Sequence, residues 1–352
     1  MRVGAKTFLL MLVLSAGTGV VAMSSVADAL PGDLADAAGL PREAPSELMR
    51  LIGEYRSADS QLTVYEAGGQ LCAEGLGMHH ARLQRLSATR FSVEKGRGPP
   101  TRLVFELGRD GHAAAVVTGA GRMQFRDIGA EVVDKIRAGV KSDSGRLRAA
   151  ALAAKPPTES NLRRPFDLVD LAGIDSTIKF DIRYASSNNF IGFPLYEQPA
   201  AFLQRPAAEA LGRVERALAS KGYGLLIHDA YRPWFVTKMF WDATPESAHV
   251  FVADPSEGSR HNRGCAVDLT LYDLKSGSAV EMTGRYDEMS PRSYADYVGG
   301  TSRQRWLREL LRSAMEAQGF AVYPEEWWHF DYKDWSDYAI GTATFTQLRA
   351  AS

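Results

Sequence analysis

Two short stretches of this chain hold the side chains that could do chemistry. One is "SRHNRGCAVDLTLYD", residues 259–273, and the other is "PEEWWHFDY", residues 324–332. Asp268 stands inside an apolar run, between Val267 and Leu269. A carboxylate there is costly to bury unless it is paired or holds a metal. His261 lies seven residues earlier, in a polar loop. A catalytic Zn²⁺ takes three protein ligands from imidazole nitrogen and carboxylate oxygen and leaves one position for water. His329 offers a further imidazole, and Glu326, three residues before it, a further carboxylate. Such a carboxylate beside a metal can take the proton of a water whose pKa the metal has lowered towards roughly 7. Taken singly, His261 is a hydrogen-bonding loop residue, Asp268 a turn cap or arginine partner, and Glu326 a solvated acid. Together they point to a hydrolytic metal site.

These residues need particular elements to hold them. Strand alternation faces Asp268 away from Val267 and Leu269, and Gly264 lets the loop bend so that His261 returns towards Asp268. In "EEWWHF" a regular strand puts Glu326 and Trp328 on one face and Trp327 and His329 on the other. A bulge or turn after Pro324 is therefore required for Glu326 to approach a metal bound by His329. "STIKFDIRYAS" alternates like a strand, and "GLLIHDAYRP" reads as a short buried one. "RPAAEALGRVERALASKGYG" is a helix with Leu211, Val214 and Leu218 on one face and Gly222 at its end. "SRQRWLRELLRSAMEAQGF" is a second, with Trp306, Leu310 and Met315 among its apolar positions and Gly319 at its end. Strands and helices do not alternate strictly, so residues 166–345 are expected to be α+β, an antiparallel sheet with flanking helices.

The rest of the chain is organised differently. Residues 46–129 carry short β-like runs with Gly-containing breaks, including "QLTVYEAGGQLCAEG", a hairpin signal around Gly68-Gly69. They predict a small antiparallel all-β, barrel-like domain. Residues 130–165 are charged and Ala-rich, broken by Pro156-Pro157, and read as a helical or flexible connector. Residues 30–45 read as a linker. "MRVGAKTFLLMLVLSAGTGVVA" followed by "VADA" has the order of a secretory signal peptide over residues 1–29, with cleavage after Ala29 or after Ala22. The mature protein is then exported, periplasmic or extracellular, with no membrane span. Cys72 and Cys265 could pair in an oxidising compartment or stay as two buried thiols, and two cysteines cannot form a thiolate zinc site by themselves. A net charge of −1 with no cationic cluster gives no reason to expect a nucleic-acid partner. His228, in the apolar "LLIHDA", reads as a hydrogen-bonded core or outer-shell residue, and Asp229 as a residue that orients Arg232 or lines the site.

"S-x-H-x-x-G-x-A-x-D" followed by "E-x-W-H" resembles the zinc D,D-peptidases of bacterial cell-wall metabolism. "DIRYASSNNFIGFPLY", "DAYRPW" and "YDEMSPRSY" occur in the order of one branch, the D-alanyl-D-alanine dipeptidases (VanX-type), across about residues 166–340. The resemblance implies one Zn²⁺ per catalytic domain, held by His261, Asp268 and His329. It implies Glu326 as general base and Arg232 as the cation that stabilises the tetrahedral oxyanion. It places Ser259 near the substrate carboxylate, and Tyr184 and Asp287 at the end that receives the substrate ammonium. Residues 46–129 loosely resemble the lipocalin-like β modules attached to some bacterial penicillin-recognising enzymes.

The expected activity is zinc-dependent hydrolysis of D-Ala-D-Ala or a similar short D,D-dipeptide, with peptidoglycan fragments as further partners. A D,D- or L,D-carboxypeptidase trimming stem peptides is the alternative within the superfamily. A cell-wall or small-ligand binding protein working through its β domain is the alternative of another class. Pocket size separates the first two: a small closed cavity suits dipeptides, an open groove longer stems.

Overall fold

The computed structural model describes residues 39–94, 99–159 and 163–351. The signal peptide and most of the linker expected above lie outside the described residues. Among the described residues no helix is long and apolar enough to cross a membrane.

After a single helical turn, α1 (Ser46–Met49), the first part of the chain is one antiparallel sheet. Its strands are β1 (Gly53–Arg56), β2 (Gln61–Ala67), β3 (Gln70–Gly75), β4 (Met78–Arg82), β5 (Gln84–Arg85), β6 (Arg90–Val93), β7 (Thr101–Leu107), β8 (Ala113–Thr118) and β9 (Gly121–Phe125). Their order is β4-β3-β2-β1-β9-β8-β7-β6-β5. The two ends, β4 and β5, are separated in sequence by Leu83 alone, so the sheet curls nearly closed. Gly68 and Gly69, with φ of 57° and 79°, make the tight β2–β3 hairpin that the Gly-Gly pair predicts. The inside of the curl is filled by side chains, among them Tyr55, Leu62, Phe91, Leu103, Phe105 and Met123, all buried.

Two helices follow, α2 (Ile128–Val140), capped by the Asp127 side chain on the Ala130 amide, and α3 (Ser144–Ala153). Their Ile136, Val140 and Ala151 are buried in the core of the following domain, apart from the core of the curled sheet. The connector is thus packed onto the second domain along its length.

The second domain is a mixed α/β unit around a five-stranded sheet of order β11-β13-β14-β16-β15. These strands are β11 (Lys179–Phe180), β13 (Tyr223–Asp229), β14 (Ala266–Asp273), β15 (Phe320–Tyr323) and β16 (Glu326–Tyr332), with a separate two-stranded ladder of β10 (Leu168–Asp170) and β12 (Phe202–Gln204). Helix α4 (Arg205–Ala219) buries Leu211, Val214 and Leu218 as its spacing predicts. Helix α6 (Ser302–Glu316) starts with a Thr301/Gln304 capping box. It buries Leu307, Leu311 and Met315, while Trp306 and Leu310 lie half-buried on its flank. The short helices α5 (Trp234–Ala243) and α7 (Phe345–Ala351) complete the domain.

Two expectations need correction. The sheet is antiparallel except at one edge, where β11 pairs parallel to β13. The chain reaches β13 from β11 through helix α4, and a helical crossover returns it to the same end of the sheet. "STIKFDIRYAS" is a strand only at Lys179–Phe180. The Asp181 amide makes the last bond to this neighbour, at Ile227 O, and Arg183–Ala185 then turns as a 3₁₀ segment that puts Tyr184 inside.

Cys72 and Cys265 form no disulfide with each other and are buried, each in a different domain. Burial raises the Cys265 thiol to about 12, so it is a neutral filler at any physiological pH.

Candidate active site

The site lies across the middle of the second sheet, where three neighbouring strands bring acids and imidazoles into one row. Asp229 of β13 pairs with Asp268 of β14, and Asp268 pairs with His329 of β16. Directly opposed residues of antiparallel strands share a face, so these three side chains stand together. A regular β13 would not deliver Asp229 there. The ladder slips between Ile227 and Asp229, leaving His228 as the extra residue.

A second irregularity delivers Glu326. Val322 pairs with Phe330, but the next residue, Tyr323, pairs with Glu326. Residues 327–329 thus bulge over a single step of β15, and Glu326 and His329 come onto the same side: Glu326 Oε2 is 3.7 Å from His329 Nδ1. This is the feature after Pro324 that the alternation of "EEWWHF" required.

His261 arrives from a loop. It opens a 3₁₀ turn, His261–Arg263, that ends at Gly264 with φ of 69°. A side chain at Gly264 would be strained at that φ and would strike Leu168 at 2.4 Å. Asn262, fully buried, staples the turn to the loop carrying Arg232. Its amide donates to Arg232 O (2.8 Å) and Thr237 Oγ1 (2.9 Å), and its Oδ1 accepts the Ser259 amide (2.8 Å).

His261 Nε2, His329 Nδ1 and Asp268 Oδ1 converge to 3.0–3.2 Å of one another. Their outward partners assign the protons. His261 Nδ1 donates to Ala230 O at 2.6 Å, and His329 Nε2 donates to Asp331 Oδ1 at 2.9 Å. The inner nitrogens therefore carry lone pairs. Two lone pairs and a carboxylate oxygen meet head to head, and that buried Oδ1 has no hydrogen-bond partner. Three acceptors aimed at one point repel unless a cation stands between them, so the donor set fits a metal ion, and these are the three residues able to hold one.

The other oxygen of Asp268 is tied differently. Its Oδ2 accepts the Tyr286 hydroxyl at 3.0 Å and lies 3.6 Å from Arg232 Nη2. Arg232 is buried, anchored on Asp229 Oδ2 at 2.8 Å and set over the Phe240 ring. Burial opposes its charge, but Asp229 outweighs that cost and Arg232 stays cationic. Tyr196 donates to the second Asp229 oxygen at 2.6 Å. Burial raises Glu326 to about 8, against the opposing pull of His329, leaving a carboxylate poised to exchange a proton near neutrality.

Tyr184 and Asp287 close one end of the site. The Tyr184 hydroxyl donates to Asp287 Oδ1 at 2.9 Å, and Asp287 Oδ2 is buried without a partner. Asp287 holds a φ of 58°, unusual for a residue with a side chain. Burial and the nearby Asp268 raise its carboxyl well above the usual range, the condition of an acid that lacks its cation. Ser259 lines the cavity too, its hydroxyl accepting the His261 amide at 3.2 Å. The cavity enclosed by these residues and by Phe190, Phe240, Val250 and Trp328 measures about 90 Å³.

All eight residues singled out in the sequence line this one cavity. Tyr286, Asp331 and Asn262 were not singled out. Asp331 is two residues from His329 on one strand, a period-2 signal that was there to read. Tyr286 stands beside Asp287 and contacts Asp268 only because the loop folds back. His228 is buried, with Nδ1 3.3 Å from Asp181 O, and burial lowers it to about 4; its bulge serves to place Asp229.

Residues 164–346, which contain the whole of this site, match the family model described as D-ala-D-ala dipeptidase. The class is therefore a peptidase, and the chain belongs to the D-Ala-D-Ala dipeptidase family, Peptidase M15. The D-alanyl-D-alanine dipeptidase of Escherichia coli K12 is 35% identical over 174 residues, which are 49% of this chain and 89% of that relative. The enzyme of the same name from Enterococcus faecium is 35% identical, over 45% of this chain and 87% of its own length. That from Streptomyces coelicolor is 35% identical, over 47% and 92%.

Proposed function

We propose that this protein hydrolyses D-Ala-D-Ala or a closely related D,D-dipeptide with one Zn²⁺ bound by His261, Asp268 and His329. The observation that carries the reading is the meeting of three ligand atoms with a raised glutamate and a buried arginine around one small cavity. Zn²⁺ at this place supplies a Lewis acid that makes water a nucleophile at neutral pH.

The chain's own residues do the rest. Glu326 takes the proton of the attacking water and passes it to the leaving amine. Arg232, held by Asp229, offers its guanidinium to the developing oxyanion and needs no reorganisation to do so. The unpartnered Asp287 oxygen, with Tyr184 fixing its mate, receives the substrate ammonium, and Ser259 lies at the carboxylate end. A cavity of about 90 Å³ suits a dipeptide better than a longer stem. The proposal includes an exported location, which rests on the leader sequence of residues 1–29.

Purified protein incubated with D-Ala-D-Ala is expected to release D-Ala, and a chelator to stop the release. Glu326→Gln is expected to keep the metal and lower kcat by roughly 10²–10⁴-fold. Absence of chelator-sensitive release, or faster release from a pentapeptide than from the dipeptide, would sink the dipeptidase reading.

A further inference from the structure

The cavity that receives the dipeptide has a larger neighbour. A cleft of about 720 Å³ lies between α2 and the face of the second sheet, and the two spaces share Phe190, Asp287 and Glu288 as a common wall. Behind the substrate ammonium, then, stands a thin partition of two loops rather than solid core. One loop, residues 186–197, follows Tyr184; the other, residues 285–292, carries Asp287.

Both loops are held by the connector. Arg137 of α2 donates to Asn189 O at 2.6 Å, and the Asn189 side chain in turn bonds the Ser186 and Phe193 carbonyls and the Ile191 and Gly192 amides. Arg148 of α3 donates to Pro194 O and Leu195 O. On the other loop, Arg285 pairs with Asp127, the N-cap of α2, at 2.6 Å. Glu288, 3% exposed, lies against Gly129 so closely that a Cβ there would be 2.4 Å from Glu288 Cγ. Glu288 cannot swing aside, because its carboxylate accepts the Arg285 amide and the Ser290 hydroxyl, both at 2.8 Å.

We propose that α2 and α3 form a clamp that pins both loops of the ammonium end, so that the connector, rather than the catalytic sheet, closes the pocket to peptides longer than two residues. The idea deepens the dipeptidase reading and rests on it for the substrate. Asp127, Gly129, Arg137 and Arg148 are positioning residues: they act through Asn189, Arg285 and Glu288 on Tyr184 and Asp287. Loosening the clamp joins the two cavities and gives a third residue somewhere to go.

The test compares the full-length zinc-loaded protein with Gly129→Ala and, separately, Arg137→Ala. Each variant is expected to raise KM for D-Ala-D-Ala about tenfold with kcat and zinc content nearly unchanged, since loss of orientation at a site is felt strongly. The rate on tri-D-alanine relative to the dipeptide is expected to rise, and Arg137→Lys to restore much of the selectivity. Hydrogen exchange of residues 185–193 and 285–292 is expected to quicken in both variants whatever the substrate proves to be, which separates failure of the clamp from failure of the dipeptidase reading. Unchanged exchange in these loops, or unchanged KM and selectivity in a dipeptide-active protein, overturns the proposal. Should Gly129→Ala not fold, the exposed Arg137 carries the test alone.

Discussion

Glu66 in the curled sheet and Asp268 in the second sheet are both 2% exposed, and both are carboxylates inside a strand. Their surroundings are opposite. Glu66 is satisfied: its oxygens accept the Ser302 amide at 2.9 Å and the Gly69 amide at 2.6 Å. It thereby docks the curled sheet on the N-terminus of α6, where a negative charge also meets the helix dipole. Asp268 keeps one oxygen without a hydrogen bond, facing two imidazole lone pairs. One buried charge joins two domains; the other is held unsatisfied beside two imidazoles, placed to meet a cation.

Three changes put that contrast at risk, from the largest effect to the smallest. Asp268→Ala is expected to abolish metal retention and hydrolysis, with a loss beyond the roughly 10–100-fold that follows removal of an outer-shell partner. Metal analysis after dialysis checks it, and a variant that kept its metal would break the comparison. Glu66→Ala is expected to cost about 1–3 kcal/mol in denaturant unfolding, because the amides of Gly69 and Ser302 lose their acceptor. It is expected to leave metal binding intact; a loss of metal there would mean that the two acids are not independent.

The third prediction concerns pH. Burial raises the Glu54 carboxyl, against the pull of Arg56. A raised acid binds its proton more tightly in the folded chain than in the unfolded one. Glu54 therefore weakens the fold as pH climbs from the ordinary carboxylate range through its raised value. Glu54→Gln is expected to flatten the melting temperature against pH in that window and to raise it slightly at pH 7. A steeper profile would contradict the sign.

Much of the site was legible because its candidate ligands sit in short motifs. His261 and Asp268 are joined by a loop whose one requirement, a bend at Gly264, is written in the residue type. Helix α4 was readable from its apolar spacing, and the β2–β3 hairpin from Gly68-Gly69, since both are local patterns. The parallel edge strand and the short extent of β11 were not readable. Alternation in "KFDIRYAS" fits a strand, but strand pairing depends on a neighbour 47 residues later, whose own bulge at His228 alters the register. Tyr286 escaped notice for the same reason, and so did the bonds of Asn262 to Arg232 and Thr237: these partners are far apart in sequence.

The sequence by itself named the candidate side chains, since imidazole, carboxylate and guanidinium have reactivities that no fold has to supply. It also marked α4, α6, β13, β14 and β16 around them, through periodicity and glycine. Only the tertiary structure decided that Asp229, Asp268 and His329 fall in one row. One bulge sets Asp229 in that row and a second brings Glu326 to it, and a bulge is a property of paired strands rather than of either one. Only the tertiary structure, too, laid α2 across the loops behind Asp287, because packing of one segment on another depends on surfaces that exist only once the chain has folded.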